Sequence, residues 1–310
     1  MITKRFQNKV AESRLTLPFV GVYALVMCVL GHLLSDGLWV QFCLLVLSSF
    51  LMMELNNANA LIRIYSRMVS CSFLVLSVMC HFVFRDVQSG IVESCFISFY
   101  LLLFSAYQDK SAVGKVFYAF MMLGIASVSF VQILFFVPIV WVLLFTNIMV
   151  GSFRTLLSSL MGLVLPYLFW STYCLLTDKL DMLTEHFFML SDGWNVMQWS
   201  NVSLCELITI FFVVLLAITG MVHFRLTNFK DKIRTRLLFE IFTVMTIINI
   251  ILMVVQPQYM HYYFAMLIVS TSPMLGHYIA LTHTFVTNVS FFVIIGMALL
   301  LTICNIWIPF

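Results

Sequence analysis

Long apolar runs follow one another along nearly the whole chain, separated by short polar breaks. They begin near Leu15, Leu38, Met68, Ile91, Gly114, Ile133, Thr155, Ser203, Leu237, His261 and Thr284. They end near Leu34, Met53, Phe84, Tyr107, Val131, Met149, Leu176, Phe224, Val255, Ala280 and Cys304. An α-helix rises about 1.5 Å per residue and the hydrocarbon core of a bilayer is about 30 Å thick, so roughly 17 to 25 apolar residues cross it. The pattern predicts an all-α fold, a polytopic transmembrane helical bundle of about 11 spans. Composition closes the soluble alternative: 63% of the 310 residues are hydrophobic and 9% are charged, against about 45–50% and about 25% in soluble domains. A single core in water would have far more apolar surface to hide than it can hold.

Charge gives the orientation, because translocation leaves Lys and Arg on the cytoplasmic side. With the amino terminus inside and one crossing per run, the inner segments hold Lys4, Arg5, Lys9, Arg14, Arg63, Arg67, Lys110, Lys115, Arg154, Arg225, Lys230, Lys232, Arg234 and Arg236. That is 14 of the 16 basic residues, and only Arg85 and Lys179 fall outside. The basic start followed by the Leu15–Leu34 run has the order of a signal peptide. The run is long, however, and ends in HLLSDG without a small-x-small site, so it reads as an uncleaved first span. After Arg236 the charge argument stops, and only the short THT step separates the last two runs.

No Pro-, Gly- or Ser-rich linker divides the chain, so residues 1–310 read as one integral membrane domain. The outer loop, residues 177–202, is long enough for structure of its own. Leu180, Leu183, Phe187 and Leu190 recur there at helical spacing, which predicts a short amphipathic helix on the outer surface, with Trp194 and Trp199 among the headgroups. The half-polar stretch Glu54–Arg67 predicts an interfacial helix on the inner side. Pro138, Pro166 and Pro273 fall inside runs, where each is expected to kink its helix; Ser270, Thr271 and Ser272 stand ready to satisfy the turn that Pro273 breaks.

Candidate chemistry gathers at the outer boundary. His32 and Asp36 are one helical turn apart, His81 and Arg85 repeat that spacing with Asp86 beside them, Glu93 and Glu206 open two runs, and His261 sits at a turn. Charged groups at membrane depth usually face protein or water. Glu93, Asp86 and Asp36 are the candidate catalytic carboxylates. Arg85, His81, His32, His261 and Glu206 are the candidate phosphate- or substrate-binding groups. The His and carboxylate spacings match no metal motif, the eight cysteines form neither a disulfide framework nor a CxxC pair, and no fingerprint calls for a cofactor. A formal charge of +3 without a basic block argues against nucleic acid. Membrane lipids are the expected partners.

Three stretches between Glu54 and Leu176 carry a likeness: ELNNANALIRIYSRMVSCSF, SGIVESCFISFYLLLFSAYQDKSAVGKVFYAF and GIASVSFVQILFFVPIVWVLLF. They resemble a family of polytopic inner-membrane proteins from Bacteroidota, itself remotely similar to the membrane core of polyprenyl-linked sugar transferases. The chain departs from those enzymes in its very short first outer loop, Ser35–Gly37. The resemblance implies a multi-pass protein of a bacterial inner membrane, acting in cell-envelope biogenesis on a lipid-linked glycan or lipid precursor at the outer face. Its partner would be a polyprenyl-linked substrate or another envelope membrane protein. A solute or lipid transporter and a non-catalytic subunit of an envelope complex are the alternatives. An enclosed polar cavity would separate them: at the outer leaflet for a transferase, crossing the bundle for a transporter, missing for a subunit.

Overall fold

The computed structural model describes residues 5–31, 37–109, 111–191 and 202–307. Lys4, His32, Asp36, Lys110, Asp192, Trp194 and Trp199 lie outside them. The described residues are helical, without strands: α1 (Phe6–Glu12), α2 (Thr16–Leu30), α3 (Trp39–Asn59), α4 (Met68–Met79), α5 (His81–Phe84), α6 (Val87–Ser105), α7 (Val113–Ser129), α8 (Val137–Thr146), α9 (Phe153–Leu176), α10 (Leu180–Phe188), α11 (Leu204–Thr227), α12 (Ile233–Val255), α13 (Met260–Leu281) and α14 (Phe285–Trp307). Seven helices, namely α3, α6, α9, α11, α12, α13 and α14, are long and apolar enough to cross a membrane. The pair α1–α2, bent by 90°, makes an eighth if it counts as one span. The shorter apolar helices are α4, α7 and the piece Val131–Thr146, in which a tight 3-10 stretch leads into α8.

Polar contacts gather at two ends. At the basic end, Gln7 Nε2 donates to the Ile279 carbonyl (2.6 Å) and Arg5 Nε to that of His283 (3.1 Å). Arg234 Nη2 reaches Asn59 Oδ1 (2.9 Å) and the Phe104 carbonyl (3.2 Å), and Asn147 Nδ2 reaches the Leu237 carbonyl (3.2 Å). At the far end, Gln41 Nε2 donates to the Arg85 carbonyl (3.2 Å) and Tyr262 Oη to Gln88 Oε1 (2.7 Å). Gln132 Nε2 donates to the Met189 carbonyl (3.2 Å) and Asn305 Nδ2 to that of Met79 (2.8 Å).

Helix α13 is the axis of the bundle: 94% of its apolar window is buried, against 17% for α9 and 28% for α14. It packs on α4, α6, α11 and α12. Beside it an aromatic core joins α6, α7, α12 and Phe136 of the 3-10 stretch, with ring centroids 4.9 Å apart for Tyr100 and Phe242 and 6.4 Å for Phe99 and Phe120. Edge-to-face pairs of this kind add about 0.5–1.5 kcal/mol beyond the area they bury. The α7–α9 contact is closer still. A Cβ on Gly162 would lie 2.3 Å from the Phe117 carbonyl oxygen, and one on Gly124 2.7 Å from that of Leu163. Small residues let the two backbones touch, the usual device between helices in lipid.

Three local expectations need correction. Glu54–Asn59 are the last turn and a half of α3 rather than part of a separate interfacial helix. The helix stops only at Ala60, in the left-handed region at φ 47°, and Asn56 Nδ2 then ties the following irregular strip through the Ser66 carbonyl (3.0 Å). Pro138 does not kink a helix; it sits in the first turn of α8, where its missing N–H is no loss. Near Pro273, Ser270 and Ser272 donate to the carbonyls of Met266, Leu267 and Ile268, before Val269, the residue whose carbonyl the proline strands.

The expected short helix is present as α10, and one residue of the expected stripe, Phe187, makes an inward contact together with its neighbour His186. His186 Nε2 meets the Ser127 carbonyl (3.1 Å), with burial lowering the imidazole pKa, and Phe187 stacks on Tyr167 at 5.3 Å. Leu180 is 48% exposed.

Candidate functional site

At the far end α5 packs against α6 and α13, which places His81, Arg85, Asp86 and His261 in neighbouring segments. His81 is buried at the start of α5, its ring so close to Gly31 that a Cβ there would lie 2.7 Å from Cε1. Phe82, next in sequence, meets the His261 ring edge-on at 5.7 Å. His261 Nδ1 is buried with no hydrogen-bond partner among the described residues. Arg85 is exposed at the end of α5.

Two of the acidic candidates are occupied by helix ends. Asp86 caps α6: its carboxylate accepts from the backbone N–H of Gln88 (3.1 Å) and Ser89 (3.1 Å) and from Ser89 Oγ (2.8 Å). Glu206 closes a capping box on α11, accepting from the Ser203 N–H (3.1 Å) while Ser203 Oγ accepts from the Glu206 N–H (3.2 Å). Each carboxylate pairs donors that a helix start would leave unpaired. Glu93 is different. It lies a turn and a half inside α6, accepts from Ser77 Oγ (3.2 Å), and lines a cavity of about 20 Å³ with Gln41, Ser77 and Gly90. That volume suits one water molecule and no sugar.

The richest buried constellation is at the basic end, where Arg63 and the FRLTNFKDKIRTR segment, legible in the sequence as topology determinants able to hold anionic headgroups, meet two histidines. Asp231, on the loop between α11 and α12, turns into the bundle with its side chain 3% exposed. Its Oδ2 meets His277 Nε2 at 3.1 Å and its Oδ1 meets Arg63 Nη1 at 3.7 Å, joining that loop to α13 and to the α3–α4 connection. Arg63 Nη1 also donates to the Lys230 carbonyl (3.4 Å) and Arg236 Nε to the Asp231 carbonyl (3.0 Å). The His277 ring lies 5.6 Å from that of His223 and is walled by Phe224 and Phe239 at 5.3 and 5.1 Å. His277 Nδ1 is buried and without a partner among the described residues. Asp231, Arg63, Lys230 and His277 lie close enough to His223 to act on it electrostatically.

The chain matches no family model, no curated protein and no solved structure.

A crevice of about 450 Å³ leads away from this constellation. It runs between α11, α13 and α14, lined by Leu215, Leu216, Phe285, Val286, Val289 and Val293, with hydroxyls only from Thr219, Tyr278 and Ser290. Tyr278 donates to or accepts from Ser290 Oγ at 2.6 Å, and its ring stands edge-on to His223 at 5.2 Å, so the crevice and the histidine share a wall. Leu215, Phe285, Val286, Val289 and Val293 are exposed, so the crevice faces outwards. Two smaller apolar crevices, about 210 and 100 Å³, lie on the other side of α14, against α2 and α4. No group of three or more His, Cys, Asp or Glu gathers to hold a metal ion among the described residues.

The signal for the buried cluster was present in the sequence. Asp231 is the one acidic residue in FRLTNFKDKIRTR, and His223 and His277 interrupt apolar runs. What the sequence lacked was the neighbourhood of α3, α11 and α13.

Proposed function

We propose that this chain is a multi-pass protein of a bacterial inner membrane, amino terminus in the cytoplasm, that handles a lipid or lipid-linked precursor of the cell envelope. All 11 apolar runs cross in this reading. The two-ended gathering of polar contacts supports it: Arg234 and Asn59 join segments that the charge alternation assigns to the inside, and Gln132 and Met189 join segments that it assigns to the outside. The resemblance of Glu54–Leu176 to polytopic proteins of Bacteroidota supports the envelope setting.

The crevice between α11, α13 and α14 carries the lipid reading. A polar solute would find almost nothing in it to hydrogen-bond, whereas an acyl or prenyl chain entering sideways from the bilayer would meet walls of its own polarity. It lies in the half of the bundle near the basic loops. A second reading rests on Glu93, the one outer candidate carboxylate among the described residues that no helix end uses: it gives the outer face an ionisable group in a water-sized cavity.

The test is photo-labelling. In nanodiscs containing a phospholipid with a diazirine on its chain, cross-links should concentrate on residues 212–219 and 285–294. Substituting Val289→Trp should fill the crevice and remove them. Helix α9, with little of its surface buried, is the internal control. Labelling of the crevice no denser than labelling of α9 would overturn the lipid reading.

A further inference from the structure

We infer that Arg63, Lys230 and His223 form a receiving site for the phosphate of an anionic lipid whose chain occupies the crevice beside α14, with the Asp231–His277 pair holding the site in shape. This rests on the crevice reading and adds the headgroup to it.

The geometry runs from the buried pair outwards. Asp231 and His277 are 3% and 1% exposed, so their contact is fixed by the bundle and not by solvent. Asp231 anchors Arg63 without hiding it: the arginine side chain is 38% exposed, and its contacts to Asp231 and to the Lys230 carbonyl both use Nη1. A guanidinium has five donors in a planar fork suited to phosphate, so one nitrogen can hold the arginine in place while others face a ligand. Lys230, also exposed, extends from the same loop with Nζ over the Phe229 ring at 5.3 Å. Arg63 and Lys230 bring two positive charges against the single negative charge of Asp231, which suits an anionic phosphodiester.

His223 places that charge at the mouth of the crevice. It is half-buried, lies one helical turn beyond Thr219 on α11, and touches Tyr278; both Thr219 and Tyr278 line the crevice. A lipid with its chain along Leu215, Val289 and Val293 would bring its headgroup to this point. Polar head and apolar channel would thus meet at His223. Asp231 and His277 are positioning residues here, since they are buried behind the arginine.

The experiment is native mass spectrometry of the full chain released from vesicles of equal phosphatidylglycerol and phosphatidylcholine. The expected result is retention of phosphatidylglycerol over phosphatidylcholine, reduced about tenfold in the double variant Arg63→Gln, Lys230→Gln, which corresponds to about 1.4 kcal/mol. His223→Gln alone should give a smaller reduction in the same direction. An undiminished preference in the double variant overturns the headgroup site. So does loss of the bound lipid to inorganic phosphate alone, which would mark a site for free phosphate. Both variants change solvent-accessible side chains, and an unchanged thermal midpoint in detergent confirms that they fold. Chain cross-linking in the crevice is a separate readout: if it persists while the headgroup preference is unaffected by the variants, this site fails and the crevice reading stands. If cross-linking is absent while the preference responds to the variants, the crevice reading fails instead.

Discussion

Asp86 and Glu206 at the far end and Asp231 at the basic end are used in opposite ways. At the far end Asp86 and Glu206 turn back on their own helices and satisfy backbone N–H groups within three residues. At the basic end Asp231 leaves its own loop and binds a histidine 46 residues away, with an arginine from a third segment. The first arrangement stabilises a helix start. The second ties three segments together, so disrupting it should affect the bundle as a whole.

Asp231→Ala is expected to have the largest effect. Breaking a buried pair by removing one partner typically costs about 3–5 kcal/mol, because the other is left buried and unpaired. Most of that should come through His277, since Arg63 is over a third exposed and solvent screens its share. The thermal midpoint in detergent measures it, and the double variant Asp231→Leu, His277→Phe sharpens the comparison. If the pair is a tie between segments, the double variant should recover much of what Asp231→Ala loses, because nothing polar is then stranded. A double variant no more stable than the single one would mean that the aspartate has some further partner.

Asp86→Ala and Glu206→Ala should each cost about 1 kcal/mol, the usual worth of a helix cap. Hydrogen exchange should place the loss in the first turns of α6 and α11 and leave α13 protected. An effect as large as that of Asp231→Ala would remove the contrast between the ends.

This contrast also explains what could be read in advance. The recurring runs and the basic loops marked the helices because hydrophobic length and charge are local properties of a segment. Ser203-Leu-Cys-Glu206 is likewise a local spacing, that of a capping box, although the depth of Glu206 made it a candidate binding group. The Asp231 pair could not be read in this way. Its meaning depends on α13 lying beside α11, and single-sequence periodicity says which face of a helix is apolar but not which helix it meets. Glu54–Asn59 failed for a related reason: polar residues look like the end of a span, yet the helix continued until Ala60 because its polar side chains found partners in the strip that follows.

Glu93→Gln is expected to have the smallest effect on stability and is the most informative about function. Unlike Asp86 and Glu206, this carboxylate serves no helix end; unlike Asp231, it joins no cationic side chain among the contacts its carboxylate makes. Glutamine keeps the size and the oxygen that accepts from Ser77 Oγ, while removing a carboxyl whose ionised form is costly to bury. The thermal midpoint should therefore stay level or rise slightly. If the outer face handles a lipid-linked substrate through this group, a deletion strain complemented with Glu93→Gln at matched abundance should lose function, while Glu206→Gln, altering only a cap, should keep it. Loss of function in both variants would implicate general disturbance of the far end. Full function in both would remove the outer carboxylates from the mechanism and leave the crevice beside α14 as the place where this protein meets its substrate.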